Sequence, residues 1–130
     1  MYMLDTNICI FAMKQQGGVL PKILSHSPEE ICISSMTYSE LCYGLTKGKR
    51  AEQNRLALLL FLSEIAIVPY DADAAEEYGH IRASLEKAGT PIDPMDLLIA
   101  AHAKALGAIM VTNNTKEFQR IKGLQTEDWL

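Results

Sequence analysis

The stretch D-P-M-D-L-L-I-A-A-H-A-K-A-L-G-A-I-M-V, residues 93–111, decides the fold class. From Asp96 to Leu106 it is apolar at nearly every helical position, and Gly107 stops it. A helix that is apolar all round is a buried helix. Ala108–Val111 then forms a short apolar run without polar alternation, as expected of a strand covered on both faces. A buried helix leading through one glycine into a buried strand reads as half of a parallel βαβ unit.

The same alternation extends in both directions. Tyr2–Leu4, Ile31–Ile33 and Ile65–Tyr70 predict strands. Ile8–Lys14, Leu20–Ser25, Met36–Leu45 and Ala72–Lys87 predict helices, punctuated by Gly17-Gly18, Gly44 or Gly48, and Gly89. Lys47–Arg55 is a polar loop or the solvated start of a helix that runs through Glu64. Lys116–Ile121 predicts a helical turn, and the tail Leu124–Leu130 a last strand. The pattern predicts one α/β domain over residues 1–130, with a central parallel sheet between two helical layers.

Composition narrows the function. The chain is 48% hydrophobic, enough for a packed core, and has no apolar run long enough to span a bilayer. The opening MYMLDTN has no basic segment or cleavage site of a secretory signal, so the expectation is cytoplasmic. Cys9, Cys32 and Cys42 are odd in number and contain no CxxC, which predicts reduced thiols. His26, His80 and His102 have no zinc-ligand spacing. A net charge of −4 excludes nucleic-acid binding by bulk charge alone, but not contact with a phosphate through a bound cation.

Several acids fall where such a sheet binds ligands. Asp5 follows the first strand, Glu40 lies in the first turns after the second, and Asn113-Asn114 follow Val111. Ligands of open α/β sheets bind outside the carboxyl ends of the strands. Asp96 opens the apolar helix. Its ordinary reading is helix-terminal: Asp93 at the N-cap, Pro94 at N1, Asp96 in the first turn. Thr37 and Glu40 likewise have capping-box spacing. Yet Asp5 and Asp96 adjoin buried apolar elements, and poorly solvated carboxylates stay ionised together only beside a cation. Mg²⁺ takes one or two carboxylates and keeps several waters. Asp71 and Asp73 open an amphipathic helix and read as caps. Tyr38, Tyr43, Tyr70 and Tyr78 read as core, as do Met36, Met95 and Met110.

Four motifs occur in order: M-L-D-T-N at the start, I-S-S-x-T-x-x-E-L-x-x-G at Ile33–Gly44, P-x-D-x-L-I-A-A-H-A at Pro94–Ala103, and V-T-N-N-T-x-E-F at Val111–Phe118. In this the chain resembles the PIN-domain ribonucleases of the VapC toxin type over essentially its whole length. The resemblance implies a PIN-like fold and a Mg²⁺-dependent endoribonuclease, with Mn²⁺ as the alternative ion. Its metal-holding acids map onto Asp5, Glu40 and Asp96. A fourth position, often Asp, is Asn114 here, and Glu117 is placed to restore the missing charge. Thr6, Asn7 and Thr112 match polar neighbours that orient the acids. A VapB-type antitoxin, a homodimer and contact with DNA only through the antitoxin are implied as well. Structured RNA, with tRNA foremost, is the implied substrate.

The reaction expected is hydrolysis of a phosphodiester to a 5′-phosphate and a 3′-hydroxyl. Lys47, Lys49, Arg50, Lys116, Arg120 and Lys122 are candidate contacts to the RNA backbone, and Arg82 either approaches the site or lies over apolar surface. Two other readings remain: a non-catalytic PIN-like binding module, and a nuclease acting on DNA. A receiver or a D-x-D phosphatase is disfavoured, because Thr6 and Asn7 follow the single early Asp5.

Overall fold

A computed structural model describes residues 1–130. The apolar run Tyr2–Leu4 forms β1 at the centre of a five-stranded sheet. The other strands are β2 (Ile31–Ser34), β3 (Ala66–Val68), β4 (Ile109–Val111) and β5 (Thr126–Glu127). Their order is β3-β2-β1-β4-β5, and every pairing is parallel. The helices are α1 (Thr6–Met13), α2 (Val19–Leu24), α3 (Ser35–Leu45), α4 (Ala51–Phe61), α5 (Ala72–Lys87), α6 (Pro94–Leu106) and α7 (Thr115–Phe118).

Successive residues of a strand point to opposite faces, and in β1, β2 and β4 both faces are buried, whereas the edge strand β3 is largely exposed and does not meet that expectation. Met3, Cys32 and Met110 pack with Ile81 and Leu85 of α5, Leu97 and Ile99 of α6, and Phe118 of α7. Leu4, Ile31, Ile33 and Val111 pack on the other side with Ile8 and Cys9 of α1, Ile23 of α2, Leu41 of α3 and Leu58 of α4. The absence of polar alternation in these strands thus has the anticipated cause. The predicted three-layer architecture is the observed one.

Differences in the elements themselves are mostly at their ends. β3 stops at Val68 because Pro69 has no N–H for the ladder. The linker Lys47–Arg55 resolves into a loop up to Arg50 and a helix from Ala51. Thr37 and Glu40 do not form a capping box. Ser34 caps α3 instead, its Oγ accepting from the Met36 N–H at 3.1 Å. Asp71 caps α5 through the Ala74 N–H at 3.0 Å, and Asp93 caps α6 through the Met95 N–H at 3.2 Å, both as the sequence suggests. Gly107 ends α6 at φ +69°, where a side chain would be strained. Cys9, Cys32 and Cys42 are free thiols. No helix is long and apolar enough to cross a membrane.

Candidate active site

The carboxyl edge of the sheet is where the acids gather. β1 lies beside β4, and the Asp5 N–H donates to the Val111 carbonyl at 3.0 Å, which fixes Asp5 against the end of β4. Its side chain is only 8% exposed. Oδ1 accepts from the Ile8 N–H at 3.0 Å, so Asp5 caps α1 as well as facing the edge. Burial pushes the Asp5 carboxyl above the usual carboxylate range; the Thr112 hydroxyl and the Ile8 N–H oppose this, while Glu40 and Asp128 push it further up.

Asp96 lies in the first turn of α6 and is half-buried. It makes no cap; Asp93 does that. Its pKa is pushed up to about 6, first by burial and then by the negative charges of Asp93, Glu117, Asp5 and Glu40. Asp96 therefore shares one electrostatic neighbourhood with the other two acids, from elements far apart in sequence.

Glu40 stands on α3, half-buried, and its Oε1 accepts from the Thr6 hydroxyl. Thr6 is the first residue of α1, so this bond ties the Asp5 segment to the Glu40 helix. Thr112 is fully buried and its Oγ1 accepts from the Asn114 N–H at 3.1 Å. The Asn114 amide donates to Glu117 Oε2. Asn114 thus orients Glu117, the acid whose charge reaches Asp96. Asn7 is exposed and stands apart from this network.

Two features escape sequence reasoning. Asp128, just past β5, adds negative charge near Asp5. It too is an acid after a strand, the same signal that singles out Asp5. His102, buried in α6, hydrogen-bonds through Nδ1 to Ser34 Oγ at 2.8 Å and so joins α6 to the end of β2. Its Nε2 has no partner, and burial lowers its pKa, which favours the neutral ring. Arg82 is held on its own helix by the Tyr78 hydroxyl at 2.7 Å and Glu86 at 3.6 Å. Tyr43 is 61% exposed under Lys47 rather than in the core.

No three Asp, Glu, His or Cys side chains converge tightly enough to enclose an ion on their own. The donor set nevertheless suits a cation of one kind. Its oxygens are hard, two of its acids are forced upward in pKa, and mutual repulsion is among the causes. Carboxylates that approach without closing fit an ion that keeps much of its water, as Mg²⁺ does, and not a dry cage.

The raised pKa of Asp96 has a consequence for stability. Between pH 3.8 and about 6 the folded chain holds a proton that the unfolded chain has released. Stability contributed by that proton is complete below pH 3.8 and is lost as pH rises through about 6. For a half-buried group, solvent screening reduces the loss to about 1–2 kcal/mol. Asp96→Asn is expected to stabilise the metal-free protein by that amount at pH 7–8, measured by urea unfolding, and to leave it unchanged at pH 3.5. Equal stabilities of the two proteins at pH 7–8 would contradict the assigned environment.

A parallel sheet between two helical layers, with acids at its carboxyl edge, defines a class of α/β protein built to bind a ligand at that edge. The PIN domain family matches residues 2–124. The "tRNA(fMet)-specific endonuclease VapC" of Shigella flexneri is 46% identical over 128 residues, covering 98% of this chain and 97% of that protein. The "Ribonuclease VapC" of Haemophilus influenzae strain 86-028NP is 40% identical over 129 residues, covering 99% and 98%. The solved structure of DNA-bound VapBC from Salmonella typhimurium superposes with a TM-score of 0.93 at 42% identity, covering 99% and 98% of the two chains. The chain belongs to the PIN-domain family, among its VapC ribonucleases.

Proposed function

We propose that this chain, one PIN domain over residues 1–130, is the toxin of a VapBC-type pair and cleaves structured RNA in the cytoplasm with a divalent ion. The observation that carries the reading is geometric: the Asp5 N–H bonds the end of β4, and the Thr6 hydroxyl beside it bonds Glu40 of α3, so two acids from distant elements are tied together at the carboxyl edge of the sheet. Asp5, Asp96 and Glu40 would hold hydrated Mg²⁺ or Mn²⁺, which when bound lowers the pKa of a coordinated water and withdraws charge from the phosphate. Glu40, oriented by Thr6, would accept the proton of the attacking water as the P–O3′ bond breaks, and the departing 3′-oxygen would take a proton from solvent. Asn114 steadies Glu117 beside Asp96 and supplies hydrogen bonds where a carboxylate would supply charge. Buried Thr112 holds the loop that carries Asn114.

Initiator tRNA is the proposed substrate, by similarity to the Shigella flexneri relative named for it. Incubation with initiator tRNA and Mg²⁺ should give one main cut with a 5′-phosphate, and EDTA should stop it. Cleavage of DNA in preference to RNA, or cleavage unaffected by EDTA, would overturn the proposal.

A VapB-type antitoxin is the proposed partner, with DNA reached only through it and a homodimer of this chain in the assembly. Two features support a partner. An apolar cleft of about 300 Å³ between α1, α3 and α4, lined by Ile10, Met13, Leu41, Leu45 and Leu58, has Glu40 on its wall. Leu56, Leu59 and Leu60 of α4 are 53–66% exposed. Apolar side chains grouped on one helix in this way mark an interaction surface. Substituting Leu56 and Leu60 together with Ser should weaken antitoxin binding at least tenfold, measured by calorimetry, with RNA cleavage by the free protein unchanged.

A further inference from the structure

We infer that a basic cleft between α5, the C-terminal half of α6 and the segment after α7 binds the RNA backbone at a distance from the cleaved bond. The inference rests on the ribonuclease reading above and names where the substrate's flanking phosphates go. The cleft measures about 410 Å³ and is walled by three separate elements. α5 contributes His80 and Ser84, α6 contributes Lys104, and the segment after α7 contributes Arg120 and Lys122. Thr90 adds a hydroxyl, and Ile81, Leu85 and Ile121 form an apolar floor.

The charge pattern runs against the chain as a whole. Sixteen acids outnumber twelve Lys and Arg residues, yet no acid lines this cleft and three of those twelve cations do. Scattered lysines are ordinarily solvated surface. Here they stand on the walls of one concavity, where low-dielectric surroundings focus their field. Glu77 pairs with Lys104 at 3.5 Å, so one cation is partly neutralised. At 29–35% exposure that pair is screened and exchangeable. An ammonium can also serve a phosphate with the N–H groups that Glu77 leaves free.

Position links the cleft to the acids. Arg120 lies three residues beyond Glu117, and its Nη1 donates to the Pro91 carbonyl at 3.2 Å, in the loop that delivers Asp93 and Asp96. This bond ties one wall of the cleft to the loop that leads into α6. Lys104 is eight residues further along α6 than Asp96, or ~12 Å at the helical rise. An RNA whose phosphodiester lies at the acids can therefore lay phosphates further along its backbone on Arg120, Lys122 and Lys104. The apolar floor suits a ribose or a base face, and the hydroxyls of Ser84 and Thr90 suit the sugar's polar edge. None of this reads sequence; phosphate contacts position a substrate, and the choice of bond lies elsewhere.

The test compares wild type with Lys104→Gln/Lys122→Gln on a full-length tRNA and on a short oligoribonucleotide that spans only the acidic centre. For the tRNA, KM should rise about tenfold at low salt with kcat unchanged. The slope of log K against log[salt] should flatten by about one to two for the two lost contacts. Cleavage of the short oligoribonucleotide should be unaffected, which also shows that the variant is folded. Unchanged KM and salt slope, with wild type active on both RNAs, would overturn the cleft assignment and leave the ribonuclease reading standing. A wild type that cleaves neither RNA would overturn the ribonuclease reading itself. Equal losses on both RNAs would overturn the cleft as a remote site.

Discussion

Asp5→Asn is expected to reduce RNA cleavage by roughly 10²–10⁴-fold while leaving the fold intact. The choice of Asn matters, because Asp5 has two tasks. Its Oδ1 caps α1 through the Ile8 N–H, and its charge serves the acidic edge. Asparagine keeps an oxygen for the cap and removes the charge. Asp5→Ala removes both and should cost about 1 kcal/mol of stability besides. Asp96→Asn should match Asp5→Asn in activity, since each removes one of the acids that must act together. The double variant should be little worse than either single one, because members of one catalytic unit are not additive. Single-turnover cleavage of initiator tRNA measures the first effect and urea unfolding the second. Asp5→Asn that cleaves within tenfold of wild type would remove Asp5 from the proposed machinery.

Phe118→Ala is expected to cost about 3–5 kcal/mol, the range for emptying a buried aromatic site. Phe118 is 2% exposed and belongs to the same buried layer as Leu97, Ile99 and Met110. It lies on the four-residue α7, which has no stability in isolation. Phe118, with Ile121, is what docks that turn, and the turn carries Glu117 with Asn114 at its start. Activity should therefore fall even at temperatures where the variant remains folded, because Glu117 loses its place beside Asp96. Lys116→Ala on the same turn is exposed and should alter stability by no more than ~0.5 kcal/mol. A loss below ~1.5 kcal/mol for Phe118→Ala would mean that the site collapses or that α7 is held by something else.

How far the sequence reaches depends on the range of the interaction that fixes each residue. Asp5 and Asp96 are legible because each adjoins an apolar run whose burial is a local property: β1 on one side, α6 on the other. Gly107 and Pro94 mark their helix ends by backbone chemistry alone. Glu40 is different. Its spacing from Thr37 suggests a capping box, but a competing cap one residue before the helix, Ser34, takes that place. What holds Glu40 is Thr6, 34 residues away, and periodicity carries no such contact. The His102–Ser34 bond spans 68 residues and is invisible for the same reason. Asp128 escapes because the strand expected over Leu124–Leu130 runs through it, whereas β5 ends at Glu127 and leaves Asp128 at the sheet's edge. Lys104 shows the converse. In the sequence it is one lysine near a helix end, and only the packing of α5 and the segment after α7 turns it into the wall of a cleft.

The most direct test of the acidic centre is paramagnetic broadening of amide NMR signals by Mn²⁺. At substoichiometric ion, signals near Asp5, Glu40, Asp96 and Glu117 should fade first and together, excess Mg²⁺ should restore them, and Asp5→Asn should abolish the effect. Broadening centred on another surface, or none at millimolar Mn²⁺, would contradict the claim that these carboxylates share one hydrated divalent ion.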